Sequence, residues 1–152
     1  MKVAAFLPAK GSSERIECKN LKLLDGKPLF LHTLEKLVSC DFIDEVYLDS
    51  ESDLILEYAP HLNYIPLKRD PSLANNKTDG HKMFYNEVIQ AEADIYIQIL
   101  GTSPFIKKET IKKGVDILKN CPEYDSVVLV KKEKQYTWNE LGPNYNKDAI
   151  PN

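Results

Sequence analysis

AFLPAKGSSERIECKNLKLLDGKPL, residues 5–29, opens on an apolar run and passes at once into Gly-Ser-Ser and a series of cations. The run from Val3 to Leu7 is uninterrupted and is ended by Pro8, which predicts a buried strand. Lys10, Arg15, Lys19, Lys22 and Lys27 then fall within eighteen residues. Small residues around Gly11 let an anion approach backbone N–H groups closely. Lys10 and Lys19 add point charges suited to a triphosphate. The stretch is neither a Walker A loop nor G-x-G-x-x-G. On residue chemistry alone, a solvated basic loop and a phosphate site are equal readings.

Working outward, Pro28 opens a segment with Phe30, Leu31, Leu34, Leu37 and Val38 at helical spacing. Residues 46–48 predict a short strand ended by Asp49-Ser50, and residues 54–58 a brief helix before Pro60. Residues 64–67 predict a third strand, and Asp70-Pro71-Ser72 and Asn75-Asn76 are loop chemistry. Met83, Phe84, Glu87, Val88 and Ala91 fit one face of a helix. Residues 95–100 predict a strand, Ile111, Val115 and Leu118 a helix, and residues 126–130 a last strand. Strand and helix alternate, which predicts an α/β three-layer sandwich with a mostly parallel sheet. Ligands in such sheets bind beyond the carboxyl ends of the strands, so the loops after Leu7, Leu48 and Leu100 matter most.

The 152 residues suit one domain, and a net charge of −3 gives no global electrostatic case for nucleic acid or a membrane surface. No apolar run approaches the roughly 20 residues that span a bilayer, and the first apolar run is too brief for a signal-peptide core. Cys18, Cys40 and Cys121 show no metal-type spacing, which points to a reducing cytoplasm. Cys18 itself reads as an inert thiol. Residues 137–152 are polar without a clear period and end on no helix or strand, as expected of a fragment.

The basic stretch resembles the N-terminal signature of the CMP-sugar synthetases, the acylneuraminate cytidylyltransferases, roughly P-A-R-G-G-S-K-x-x-x-x-K-N-x-x-x-L-x-G-K-P-L. Pro8-Ala9-Lys10-Gly11-Ser12-Ser13, Lys19-Asn20 and Leu24-Asp25-Gly26-Lys27-Pro28-Leu29 keep its spacing. The resemblance implies a Rossmann-like nucleotidyltransferase fold of the GT-A-like kind. It also implies attack of a sugar hydroxyl on the α-phosphorus of CTP, with pyrophosphate leaving and Mg²⁺ assisting. It assigns catalytic positions to Lys10 and Lys19. It places nucleotide contacts at Lys10, Gly11, Ser12, Ser13, Arg15, Lys19, Asn20, Arg69 and Thr78. Two departures bear on phosphate affinity. Lys10 replaces the family Arg and lacks its planar fork. Glu14 reverses a family cation, with Arg15 adjacent to compensate.

The similarity extends further. EVYLDSESDLI resembles the family's second strand, loop and helix, and KRDPSLANNKTDGHKMF resembles R-P-x-x-L-A-x-D and the helix after it. For Arg69 and Asp70, a surface loop with an Asp-Pro turn is the competing reading. YIQILGTSPFI resembles L-L-Q-P-T-S-P-L-R, with Thr102, Ser103 and Pro104 matched. The family Gln aligns with Leu100, and Gln98 lies two residues earlier on the same face of the strand. Gln98, Thr102 and Ser103 are therefore the candidate sugar-side contacts. Thr-Ser-Pro-Phe at residues 102–105 is similar to a subgroup found in surface-polysaccharide loci.

Other residues read as structural. Asp94 sits at the strand's start, at the wrong end for the active face. His81 reads as a cap or surface residue, and Tyr136 and Trp138 as packing under the tail. The resemblance places the Mg²⁺ carboxylates in a D-x-D-like segment past residue 152, and implies a homodimer in the full-length protein. Residues 1–152 then form one cytidylyltransferase-like domain lacking its C-terminal part. Its substrates would be CTP and a sialic-acid-like nonulosonic acid. The alternatives are a truncated, non-catalytic nucleotide-binding module, or another sugar nucleotidyltransferase or glycosyltransferase of the same fold.

Overall fold

β1 (Val3–Pro8) is apolar at every position, and such a strand is stable only with both faces covered. In the computed structural model it is buried along nearly its whole length at the centre of a parallel sheet. The structure describes residues 1–13, 15–74, 78–133 and 137–143. Elements follow in chain order: β2 (Leu23–Leu24), β3 (Lys27–Pro28), α1 (Leu29–Val38), β4 (Glu45–Ser50), α2 (Asp53–Leu56), β5 (Ile65–Lys68), α3 (Gly80–Val88), β6 (Ile95–Gln98), α4 (Lys108–Asn120), β7 (Trp138–Asn139) and β8 (Gly142–Pro143). The main sheet has the order β5-β4-β1-β6, all parallel. Phe6 lies opposite Tyr47 on β4 and Gln98 on β6, and Pro8 lies opposite Asp49.

Side chains alternate across the sheet and divide its core into two layers. Ala5, Leu7, Val46 and Leu48 pack with Phe30, Leu31, Leu34 and Leu37 of α1, Ile55 and Leu56 of α2 and Ile111 of α4. Val3, Ile95 and Val115 extend that layer along α4. On the other face, Ala4, Phe6 and Tyr47 meet Leu67, Tyr96 and Phe84 of α3. The Phe6 and Tyr47 rings stack at 4.9 Å, and Phe84 meets Phe6 edge-on at 6.5 Å. The result is the expected three-layer α/β sandwich. Each fully buried core side chain such as Phe30 or Leu34 stabilises it by about 1.5–3 kcal/mol.

Local chemistry sets the element ends. Asp79 caps α3 by accepting the Lys82 N–H at 2.8 Å. Asp25 (φ 51°) and Gly26 (φ 74°) turn β2 into β3. An Asp-Gly pair with two positive φ values suits the right-handed twist of a two-residue hairpin. This explains the L-D-G-K-P run in physical terms.

Three expectations are corrected. Residues 126–130 form no strand and pair with none among the described residues. Val128, Leu129 and Val130 lie exposed. β-branched content suits a strand, but a ladder also needs a neighbour to take its N–H and C=O groups. Within the tail, β7 and β8 form a small hairpin where no regular structure is expected. Trp138 is 67% exposed on it rather than packed beneath. Tyr136, Glu14, Asn75, Asn76 and residues 144–152 lie outside the described residues. No described helix is long and apolar enough to cross a membrane.

Candidate functional site

Parallel strands present their carboxyl ends together, so the loops after β1, β5 and β6 meet at one edge of the sheet. There they enclose a cavity of about 580 Å³. The β1 loop supplies Lys10, Ser12, Ser13, Arg15, Lys19 and Asn20. Arg69, Leu73 and Thr78 enter after β5, Met83 from α3, and Leu100, Gly101 and Thr102 after β6. Among the described residues that line it, four are cationic and none is Asp or Glu. Low-dielectric walls lined by one sign of charge concentrate an anion of the opposite sign.

The β1 loop is held by ties to Asp49 and Glu51 and by one bond within itself. The Ala9 N–H donates to the Asp49 carbonyl at 2.8 Å. The Asn20 Nδ2 donates to the Lys10 carbonyl at 2.7 Å, closing the loop on itself. The Gly11 N–H donates to Glu51 Oε1 at 2.8 Å, and the Ser12 N–H reaches the same oxygen at 3.4 Å. Glu51 thus occupies the place at Gly11 where the sequence suggests a phosphate, because a carboxylate satisfies two loop N–H groups that would otherwise lack partners. Gly11 stands behind the cavity wall and does not line it. A Cβ there would come within 2.7 Å of Ser52 Cβ, so the loop can pass this close to the start of α2 only with glycine.

Arg69 does not sit on a surface loop. It is 2% exposed and forms a fork with Asp49 at the end of β4: Nε donates to Oδ1 at 3.1 Å and Oδ2 at 3.0 Å, and Nη2 to Oδ2 at 2.6 Å. Nη2 also donates to the Asp49 carbonyl at 3.3 Å. The bidentate arrangement neutralises a charge that burial would otherwise make costly. It also fixes the guanidinium at the cavity edge.

Gln98 lies elsewhere than the sugar-side expectation. Its side chain turns beneath α3, where Nε2 donates to Glu87 Oε2 at 2.5 Å, and it does not line the cavity. The buried Glu87 carboxyl needs a donor, and Gln98 on β6 gives one. Thr102 lines the cavity, whereas Ser103 opens instead onto an adjacent groove of about 560 Å³ with Phe105, Ile106, Leu129 and Val130. Asp94 accepts the Lys2 N–H at 2.6 Å at the opposite end of the sheet. His81 is exposed in the first turn of α3, where Asp79 is the cap. Cys18 is exposed in the basic loop with a left-handed backbone (φ 47°).

Sequence reasoning passes over Asp49, Glu51 and Glu87, which shape the site from behind. Asp49 carries a legible signal: it follows Tyr47 by two residues and so shares the α3 face. Glu51 and Glu87 carry none, since their partners lie 40 and 11 positions away.

The cytidylyltransferase family profile matches residues 4–147. Pseudaminic acid cytidylyltransferase of Campylobacter jejuni is 31% identical over 124 residues, which cover 76% of this chain and 53% of that protein. CMP-N,N'-diacetyllegionaminic acid synthase of Legionella pneumophila is 30% identical over 125 residues, covering 78% and 54%. The chain spans about half the length of the curated relatives it matches. The solved structure of CMP:2-keto-3-deoxy-manno-octonic acid synthetase complexed with CTP shares the fold, with a TM-score of 0.68 at 22% identity over 80% of this chain and 49% of that one. A Rossmann-like α/β sheet, a basic loop after its first strand and a family match over nearly the whole sequence agree: the chain belongs to the cytidylyltransferase family.

Proposed function

We propose that these residues form the nucleotide half of a CMP-sugar synthetase. Such an enzyme transfers CMP from CTP to an acidic sugar of the nonulosonic or octulosonic type and releases pyrophosphate. One observation carries the reading: Lys10, Arg15, Lys19 and Arg69 converge on a single cavity. In the reaction a sugar hydroxyl oxygen forms a bond to the α-phosphorus, the bond from that phosphorus to the bridging oxygen breaks, and the hydroxyl proton is lost. Negative charge grows on the departing pyrophosphate, so the protein's task is positioning and charge neutralisation. Lys10 and Lys19 face the triphosphate as point charges, with Arg15 beside them. Ser12 and Ser13 donate to phosphate oxygens, while Asn20 holds the loop and Arg69 and Thr78 approach the nucleoside. Thr102 stands toward the sugar.

Mg²⁺ belongs to the same reading, but the cationic cavity wall does not suit a divalent cation. Among the described residues no group of three His, Cys, Asp or Glu could hold one. The ion would shield the phosphate oxygens, with its protein ligands supplied from outside these residues. A cytoplasmic setting, a homodimer in the full-length protein, and the lack of nucleic acid or membrane partners complete the reading. The names of the relatives, which act on pseudaminic, legionaminic and octulosonic acids, support an acidic sugar. Partial coverage of those relatives favours a second reading, in which these residues alone bind CTP without turning it over.

Thermal unfolding with CTP, UTP, ATP or GTP, each with Mg²⁺, tests the proposal. A nucleotide at about 100 times its Kd adds about 2.7 kcal/mol to stability, a shift of several degrees for a domain of this size. Preference for CTP supports a cytidylyltransferase. Preference for another base supports a different nucleotidyltransferase or a glycosyltransferase of the same fold. No shift with any nucleotide refutes a nucleotide site within these residues.

A further inference from the structure

On the α3 side, the sheet is apolar toward its amino end and polar toward its carboxyl end. Tyr47 and Tyr96 pack under α3 with Phe6, and two residues further along the same strands stand Asp49 and Gln98. Glu87, on the inward face of α3, meets that polar end. It is fully buried, and so is Asp49. The cluster thus gathers two carboxyl groups and one cation, Arg69, away from water. With both carboxyls ionised it would carry a net buried negative charge, which low dielectric penalises heavily. Glu87 Oε2 accepts from Gln98, but Oε1 is buried with no hydrogen-bond partner. A proton on Glu87 resolves both problems. It brings the cluster to neutrality and turns an acceptor-only group into a donor toward Asp49, which lies within hydrogen-bonding reach.

We propose that Glu87 is a positioning residue that stays protonated beneath α3 and, by donating to Asp49, holds the Asp49–Arg69 fork at the edge of the nucleotide cavity. Burial first, and then the Asp49 carboxylate, push the Glu87 carboxyl up to about 8, against the opposing pull of Gln98 and Arg69. Among the described residues the other titratable side chains on this face of the sheet are Glu45, paired with Lys2 at 2.8 Å toward the amino end, and the two tyrosines. The Tyr47 hydroxyl donates to Glu45 at 2.8 Å, and the Tyr96 hydroxyl donates to the Ala91 carbonyl at 3.3 Å. Neither competes for the proton. Once Glu87 ionises, it repels Asp49 and draws Arg69 toward itself. The fork that sets the guanidinium then loosens, so nucleotide affinity follows the protonation of a group that never touches the nucleotide. The linkage rests on the reading of the cavity as a nucleotide site.

The test compares the wild-type chain with Glu87→Gln and Glu87→Ala from pH 6 to 9.5, reading CTP binding by calorimetry and the Glu87 carboxyl by carbon-13 NMR. Gln has the shape of the protonated acid and can donate to Asp49 while accepting from Gln98. The wild type is expected to bind CTP about tenfold more weakly at pH 9 than at pH 7, as a single required proton dictates. Glu87→Gln is expected to stay flat within about twofold and to surpass the wild type at pH 9. Glu87→Ala is expected to bind weakly throughout. A Glu87 carboxyl that titrates in the ordinary range near pH 4, or a Glu87→Gln profile that tracks the wild type, overturns the proposal. If the carboxyl titrates near 8 but the wild type binds no CTP at any pH, the nucleotide reading falls and the positioning role falls with it. The NMR arm separates that failure from a failure of Glu87 itself.

Discussion

Replacing Arg69 by Met removes the one cation from a cluster that keeps two carboxyl groups, Asp49 and Glu87, out of water. Met preserves most of the aliphatic volume, so the effect is electrostatic. Asp49 loses four hydrogen bonds from the guanidinium, three to its carboxylate and one to its carbonyl. Breaking a buried ion pair from one side costs about 3–5 kcal/mol, because the partner is left charged and unpaired. For a chain of this size about 1 kcal/mol corresponds to roughly 2–4 °C at the midpoint, so Arg69→Met should lower Tm by on the order of 10 °C at pH 7. Urea unfolding at pH 7, followed by circular dichroism, reads the free-energy loss, and thermal unfolding by the same signal reads the Tm. A loss under about 1 kcal/mol at pH 7, the range of exposed pairs, would refute the view that this fork is buried and mutually required.

The raised Glu87 carboxyl makes stability itself depend on pH. From about 4.5, where the unfolded side chain releases its proton, up to about 8, where the folded one does, the folded state holds the extra proton, so stability falls as pH rises. The slope is at most about 1.4 kcal/mol per pH unit for one proton, and Glu87→Gln should remove it from urea-unfolding data. Gly11→Ala forces a Cβ to 2.7 Å from Ser52 Cβ. It should cost about 1–3 kcal/mol by overpacking and weaken CTP binding by displacing the β1 loop, measured by denaturation and calorimetry on the same sample. Lys19→Ala leaves the fold intact and removes one charge from the cavity. A charge-assisted contact of about 1.5–3 kcal/mol predicts CTP binding at least tenfold weaker and less salt-dependent, and unchanged binding would remove Lys19 from the triphosphate site.

The sequence alone determined the strands and helices whose reason is local. Residues 3–7 form a strand because an unbroken apolar run ended by Pro8 has few alternatives, and α1 begins after Pro28 because its apolar residues recur at helical spacing. The loop pattern from Pro8 to Leu29 carries the family resemblance without any tertiary contact, since both its hairpin turn and its cation spacing are written in consecutive residues.

Tertiary structure decided what depends on neighbours distant in the chain. The order β5-β4-β1-β6 brings Arg69 to Asp49 across twenty positions and converts a residue in a polar stretch into half of a buried ion pair. The same packing sets Glu51 under Gly11 and turns Gln98 away from the cavity toward Glu87. It also leaves residues 126–130 without a sheet neighbour among the described residues. Periodicity reports which face of an element is apolar, because that depends on the element alone. It is silent on which charge meets which, because desolvation and ion pairing are properties of two elements brought together, and only the fold brings them together.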